Sequence, residues 1–122
     1  MDHRTVLVVD DEESVLRILD RFLQQMGFAV EVCDSSEDAL ARFYQERYDL
    51  IILDINMPGK DGFQLAKEMR MIRPEQKILV ITGLDAGQVF NHLLSTDADF
   101  DDILYKPFSF EKIQEVVGNV MS

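Results

Sequence analysis

Tyr48-Asp49-Leu50-Ile51-Ile52-Leu53-Asp54-Ile55-Asn56-Met57-Pro58-Gly59 is the stretch whose reading decides the fold. Residues 50–53 are all apolar, the pattern of a strand covered on both faces. The run stops at a carboxylate, Asp54, and a turn signal follows at Pro58-Gly59 with a further glycine at Gly62. An acid at the carboxyl end of a buried strand is placed for chemistry and poorly placed for stability. Taking its charge out of water costs several kcal/mol unless a partner offsets it. The remaining chain is therefore read for the partners it brings to Asp54.

Upstream, residues 5–9 form a short β-branched run that leads into Asp10-Asp11-Glu12-Glu13. Val15, Ile18, Leu19, Phe22, Leu23 and Met26 then recur at helical spacing and are expected inward, with Gly27 ending the helix. Residues 28–32 read as a second strand, and Ser35 or Ser36 caps a helix carrying Ala39, Leu40 and Phe43. Downstream, a third helix from about residue 61 to residue 72 is expected to turn Phe63, Leu65, Met69 and Ile72 inward, with Pro74 just past its end. Residues 77–81 are a fourth strand ending at Thr82-Gly83, and residues 86–95 a weaker helix around Val89, Phe90, Leu93 and Leu94. Residues 102–105 are a fifth strand ending at Lys106-Pro107, and Ser109 caps a last helix with Phe110, Ile113, Val116, Val117 and Val120 inward. Five strands alternating with five helices predict a parallel sheet with helices on both faces. The flavodoxin-like strand order 2-1-3-4-5 follows for five such units, with the third strand central.

Length and charge bound the possibilities. The chain has 122 residues, one domain spanning residues 1–122 with a core of its own. No apolar run approaches the roughly 20 residues of a membrane span. The first residues lead straight into a strand, so no signal peptide is expected. Cys33 is the single cysteine, which excludes an internal disulfide and a cysteine-based metal site and suggests a cytoplasmic setting. A formal net charge of −11 argues against general electrostatic binding of nucleic acid or an anionic membrane.

In a parallel sheet all carboxyl ends share one edge, and ligands bind there where strand order reverses. The residues ending the first, third, fourth and fifth strands are Asp10-Asp11, Asp54, Thr82 and Lys106. Three of these alone are ordinary (acids at a helix start, a strand-end threonine, a Lys-Pro turn), whereas a buried strand running straight into an acid, as at Asp54, is uncommon. Together they set three carboxylates, a hydroxyl and an ammonium at one point. Neighbouring carboxylates repel by about 1 kcal/mol per pair in water and more when partly buried, and a divalent cation relieves that. Hard oxygen ligands without histidine or cysteine indicate Mg2+, with Mn2+ as a substitute. Such a site serves phosphoryl transfer to a carboxylate nucleophile. Asp54 is the expected nucleophile, Lys106 its partner at rest and the phosphoryl group's afterwards, and Thr82 a hydrogen-bond donor to that group.

These residues resemble the receiver domains of two-component response regulators, including single-domain chemotaxis regulators. The resemblance runs through Val8-Val9-Asp10-Asp11-Glu12, Asp54-Ile55-Asn56-Met57-Pro58 with Asp61-Gly62, Thr82-Gly83 and Lys106-Pro107-Phe108, and covers essentially the whole chain. It implies that Asp54 accepts a phosphoryl group from a phosphohistidine of a kinase or phosphotransfer protein. It also implies Mg2+ held by Asp11, Asp54 and the backbone carbonyl of Asn56, with Asp10 assisting, a switch hydroxyl at Thr82, and a cis Lys106-Pro107 bond. One departure stands out: Ile103 occupies the place, three residues before the lysine, where the family often has an aromatic, and Tyr105 lies one step further along.

Two rivals remain in view. A Mg2+-dependent phosphatase with an aspartyl nucleophile would carry that nucleophile after the first strand and leave Asp54 redundant. A flavin-binding electron carrier needs a Ser/Thr/Gly-rich phosphate loop where this chain has four acids. The surface of the fourth helix, fifth strand and fifth helix, the family's usual output face, carries Asp85, Asp97, Asp99, Asp101, Asp102, Glu111 and Glu115 against Lys106 and Lys112. Apposed with its own copy it would meet like charge with like, so a basic partner rather than a dimer is expected there.

Overall fold

The computed structural model of the chain describes residues 4–57, 61–94 and 97–122. The elements run β1 (Thr5–Val9), α1 (Glu13–Gln25), β2 (Ala29–Cys33), α2 (Ser36–Gln45), β3 (Leu50–Asp54), α3 (Gly62–Ile72), β4 (Ile78–Thr82), α4 (Ala86–Leu94), β5 (Asp102–Tyr105) and α5 (Phe110–Met121). The turn expected at Pro58-Gly59 and Ser95 of the expected fourth helix lie outside the described residues. All pairings are parallel, in the order β2-β1-β3-β4-β5, the doubly wound, flavodoxin-like arrangement expected from the alternation.

Alternation along the strands sorts the core into two layers. Leu7, Val9, Ile51, Leu53, Ile78 and Val80 point to one face and pack on Phe43 of α2, Phe63 and Met69 of α3 and Val89 of α4. Val6, Val8, Leu50, Ile52, Leu79 and Ile81 point to the other and pack on Leu16, Leu19 and Leu23 of α1 and Ile113, Val116 and Val117 of α5. Every residue of β3 and β4 is buried, so the double-sided reading of residues 50–53 holds.

Helix ends follow local chemistry. Ser35 caps α2, Asp61 caps α3 and Ser109 caps α5, each side-chain oxygen accepting a backbone N–H from three residues on. Gly27, with φ of 94°, turns the chain out of α1 in the left-handed region that favours glycine.

The helical phase read from sequence needs two corrections. Ile18, expected inward, is 45% exposed, and Leu16 takes the buried place. Ile72, also expected inward, is 39% exposed at the last turn of α3. Both helices carry more apolar residues than one face can hold, so period alone cannot choose among them. In α4 only Val89 is buried, while Phe90 and Leu94 stand in solvent.

Candidate functional site

Strand register brings the expected residues together. Val9 pairs with Leu53, which sets Asp10 beside Asp54, one step further along each chain. Asp54 pairs with Ile81 and Thr82 with Tyr105. The Lys106 N–H then donates to the Thr82 carbonyl at 2.7 Å, tying the lysine to the end of β4. The Lys106–Pro107 peptide is cis, as the resemblance implied.

Asp10, Asp54 and Thr82 are buried at the carboxyl edge of the sheet. Each carboxylate has one oxygen held by its own loop: Asp10 Oδ1 accepts from the Glu12 N–H and Asp54 Oδ1 from the Asn56 N–H, both at 2.9 Å. The second oxygens face Lys106, whose Nζ lies 3.1 Å from Asp10 Oδ2 and 3.2 Å from Asp54 Oδ2. It also reaches Glu12 Oε1 at 3.2 Å. Nζ donates hydrogen bonds to Asp54 and Glu12, but its approach to Asp10 Oδ2 is an ion pair without hydrogen-bond alignment, and that buried oxygen has no hydrogen-bond partner. Thr82 Oγ1 accepts from the Leu84 N–H at 2.9 Å, which orients the hydroxyl and leaves its proton to donate.

The charges shift one another. Burial first, and the Asp54 charge behind it, push Asp10 up to about 6, against the pull of the Glu12 N–H and of Lys106. Burial disfavours the charged form of Lys106, but the surrounding Asp10, Asp54 and Glu12 outweigh it and hold its pKa above the ordinary value.

Three carboxylates, from Asp10, Glu12 and Asp54, bring oxygens within 4.8 Å of one another, and one ammonium balances only part of their charge. With Asp10 Oδ2 buried and lacking a hydrogen bond, this donor set fits a hard divalent cation. Of the residues expected at the site, Asp10, Asp54 and Lys106 converge, and Thr82 joins them through the backbone. Asp11 is exposed and outside the trio, and Asn56 enters through its N–H. Glu12 is the residue the sequence left without a role. Its signal was its place in the acid run, where nothing says which acids turn inward.

A family model for the response regulator receiver domain matches residues 6–118. The chain belongs to the response regulator receiver family. Among curated relatives, the transcriptional regulatory protein ResD of Bacillus subtilis is 36% identical over 105 residues, covering 85% of this chain and 42% of its own length. The receiver spans less than half the length of the first curated relatives it matches. Among solved structures, the chemotaxis protein CheY4 of Vibrio cholerae superposes with a TM-score of 0.86 at 30% identity, covering 98% of this receiver and 99% of CheY4. The response regulator TrrA of Thermotoga maritima, solved in complex with Mg2+ and a beryllium fluoride, does so with a TM-score of 0.82 at 32% identity, covering 96% and 98%.

Gly62 gives this receiver a feature that composition did not reveal. A Cβ there would stand 2.5 Å from the Asp54 carbonyl oxygen and 2.7 Å from Ile55 Cα, backbone atoms that cannot step aside. Gly62→Ala should therefore cost roughly 1–3 kcal/mol in urea unfolding by displacing the end of β3. Wild-type stability in that variant would remove the close-approach argument.

Proposed function

We propose that this receiver is a phosphorylation-dependent signalling switch, and that Asp54 accepts its phosphoryl group from a phosphohistidine of a histidine kinase or phosphotransfer protein. The observation that carries the reading is the Lys106 ammonium lying 3.2 Å from Asp54 Oδ2, at the end of the central strand of a receiver fold. The Asp54 oxygen attacks phosphorus, the P–N bond breaks, and the imidazole leaves with the bond electrons. Lys106 moves from the carboxylate to a phosphoryl oxygen, and the Thr82 proton is donated to another. A bound Mg2+, or Mn2+ in its place, supplies charge neutralisation at the phosphoryl oxygens. Asp10 and Asp54 would hold it, joined, on the family's pattern, by Asp11 and the Asn56 carbonyl. Val15, Ile18, Pro107 and Phe108 line an apolar hollow beside Lys106, which gives the exposed Ile18 a use as a surface for the phosphodonor. The receiver assists its own modification and its loss without being a turnover enzyme. Residues 1–122 act as one receiver domain in the cytoplasm, controlling a protein target or an attached effector rather than binding nucleic acid or membrane themselves.

For the output face, the acid count from sequence needs revision. Asp99 and Asp101 pair with Arg70, and Asp97 with Lys67, all onto α3. Glu115 pairs with Lys112, leaving Asp85, Asp102 and Glu111 without an ion pair among the described residues. Phe90 and Leu94, one turn apart on α4, and Tyr105 of β5 are exposed. Exposed apolar side chains together with these acids still suit a basic, amphipathic partner, although the repulsion opposing a dimer is weaker than the raw count implied. Sedimentation with beryllofluoride at low and moderate salt should keep the chain monomeric, and a tight dimer through α4, β5 and α5 would refute that assignment.

Beryllofluoride with Mg2+ tests the switch itself. Amide shifts should change at Asp54 and across α4, β5 and α5. Thr82→Ala should still bind the mimic but respond far less in those elements, because nucleophile and metal ligands remain while the donated proton is gone. A full response from Thr82→Ala would strip that residue of its role.

A further inference from the structure

Glu12 is the N-cap residue of α1, yet its side chain makes no capping hydrogen bond. Capping rewards short side chains such as serine or aspartate, and Glu12 serves the helix end with its backbone alone: its carbonyl accepts from the Val15 and Leu16 N–H groups. Its N–H is committed to Asp10 Oδ1. The side chain crosses to Lys106 Nζ, 94 positions away in sequence. It stays 59% exposed there, whereas the other two carboxylates on that ammonium are 0% and 2% exposed.

The Lys106 ammonium thus lies at the point where oxygens of all three carboxylates converge, which is also where a divalent cation would bind. Two positive centres cannot share that point, since Coulomb repulsion between them grows as water is excluded. We propose that Glu12 is a positioning residue for Lys106, an outer carboxylate that receives the ammonium when a divalent cation takes Asp10 and Asp54. Its long, exposed side chain can swing outward with Lys106, while Asp10 and Asp54 are fixed by their loop hydrogen bonds. Among the described residues, Glu12 is the one carboxylate besides Asp10 and Asp54 within ion-pair distance of Lys106, so without it the ammonium stays on the inner pair and the cation binds less well. The inference rests on the metal-assisted reading of the site, and a double-mutant cycle separates the two.

Mg2+ dissociation constants are measured by calorimetry for the wild-type receiver, Glu12→Gln, Lys106→Met and the double variant. Glu12→Gln should weaken Mg2+ roughly fivefold, and Lys106→Met should tighten it. In the Lys106→Met background, Glu12→Gln should cost twofold or less, because the ammonium that Glu12 receives is gone. The 15N-detected Lys106 side-chain resonance should also move on Mg2+ addition in the wild type and move less in Glu12→Gln. Equal losses in both backgrounds would make Glu12 a direct ligand or a distant charge and overturn the inference alone. Absence of Mg2+ binding by the wild-type receiver would overturn it together with the metal-assisted reading.

Discussion

Asp54→Ala, incubated with acetyl phosphate and Mg2+, should take up no phosphoryl group, while the wild-type receiver should take up one per chain. The effect should be all or none because the setting of the proposed nucleophile is not duplicated among the described residues. Asp54 ends the central strand with Oδ1 fixed by the Asn56 N–H and Oδ2 hydrogen-bonded to Lys106, the cation placed to offset charge on the proposed phosphoryl group. Asp10 is the nearest rival, buried and with an oxygen lacking a hydrogen bond, but it sits beyond β1 and contacts Lys106 only obliquely. Stability distinguishes lost chemistry from lost folding. Removing one of three mutually repelling carboxylates leaves Asp10 and Glu12 to pair with Lys106, so Asp54→Ala should resist urea at least as well as wild type without Mg2+. Intact-mass spectrometry reads the outcome directly. Modification persisting in Asp54→Ala would pass the nucleophile's role to Asp10 or Glu12, and modification unaffected by chelating the metal would remove Mg2+ from the step.

Much of this site was legible because strand ends are legible. An apolar run must stop where the sheet stops, so the polar residues that follow the first, third, fourth and fifth runs had to share an edge, and Asp10, Asp54, Thr82 and Lys106 do. What sequence could not supply was direction within a run of like residues. Asp10, Asp11 and Glu12 differ little in chemistry, yet Asp10 is fully buried, Asp11 faces solvent and Glu12 reaches Lys106. The choice depends on the turn between β1 and α1, where the Glu12 N–H folds back on Asp10. Ile18 and Leu16 show the same ambiguity in a helix, where a wide apolar stripe leaves the phase open. The acids at 97, 99 and 101 illustrate a third limit. Counted along the chain they belong to the output face, but Arg70 and Lys67 of α3, some 30 positions earlier, draw them to another surface. Long-range ion pairing leaves no local pattern to read.

The second large effect concerns the proton on Asp10. Burial, reinforced by the Asp54 charge, pushes this carboxyl up to about 6 from an ordinary 3.8. Between those values the folded receiver keeps a proton that the unfolded chain has released. The stability tied to Asp10 is therefore fully present below the ordinary value and is lost as pH rises through the folded one. The loss is on the order of 3 kcal/mol, because each tenfold difference in proton affinity between the folded and unfolded chain is worth about 1.4 kcal/mol. Asp10→Asn carries no such proton, so without metal the stability difference, wild type minus variant, should fall by that order between about pH 4 and pH 7. Other carboxylates titrate in both proteins and largely cancel in the difference. Added Mg2+ should flatten the fall, since a ligand bound by the ionised carboxylates stabilises the folded state by mass action, and it should raise the wild-type melting temperature at neutral pH more than that of Asp10→Asn. Urea unfolding at several pH values, with and without Mg2+, measures both. A stability difference that stays level across this range would mean that Asp10 is ionised throughout, with Lys106 alone sufficient to hold its charge, and a melting temperature indifferent to Mg2+ would deny the cation its place among these carboxylates.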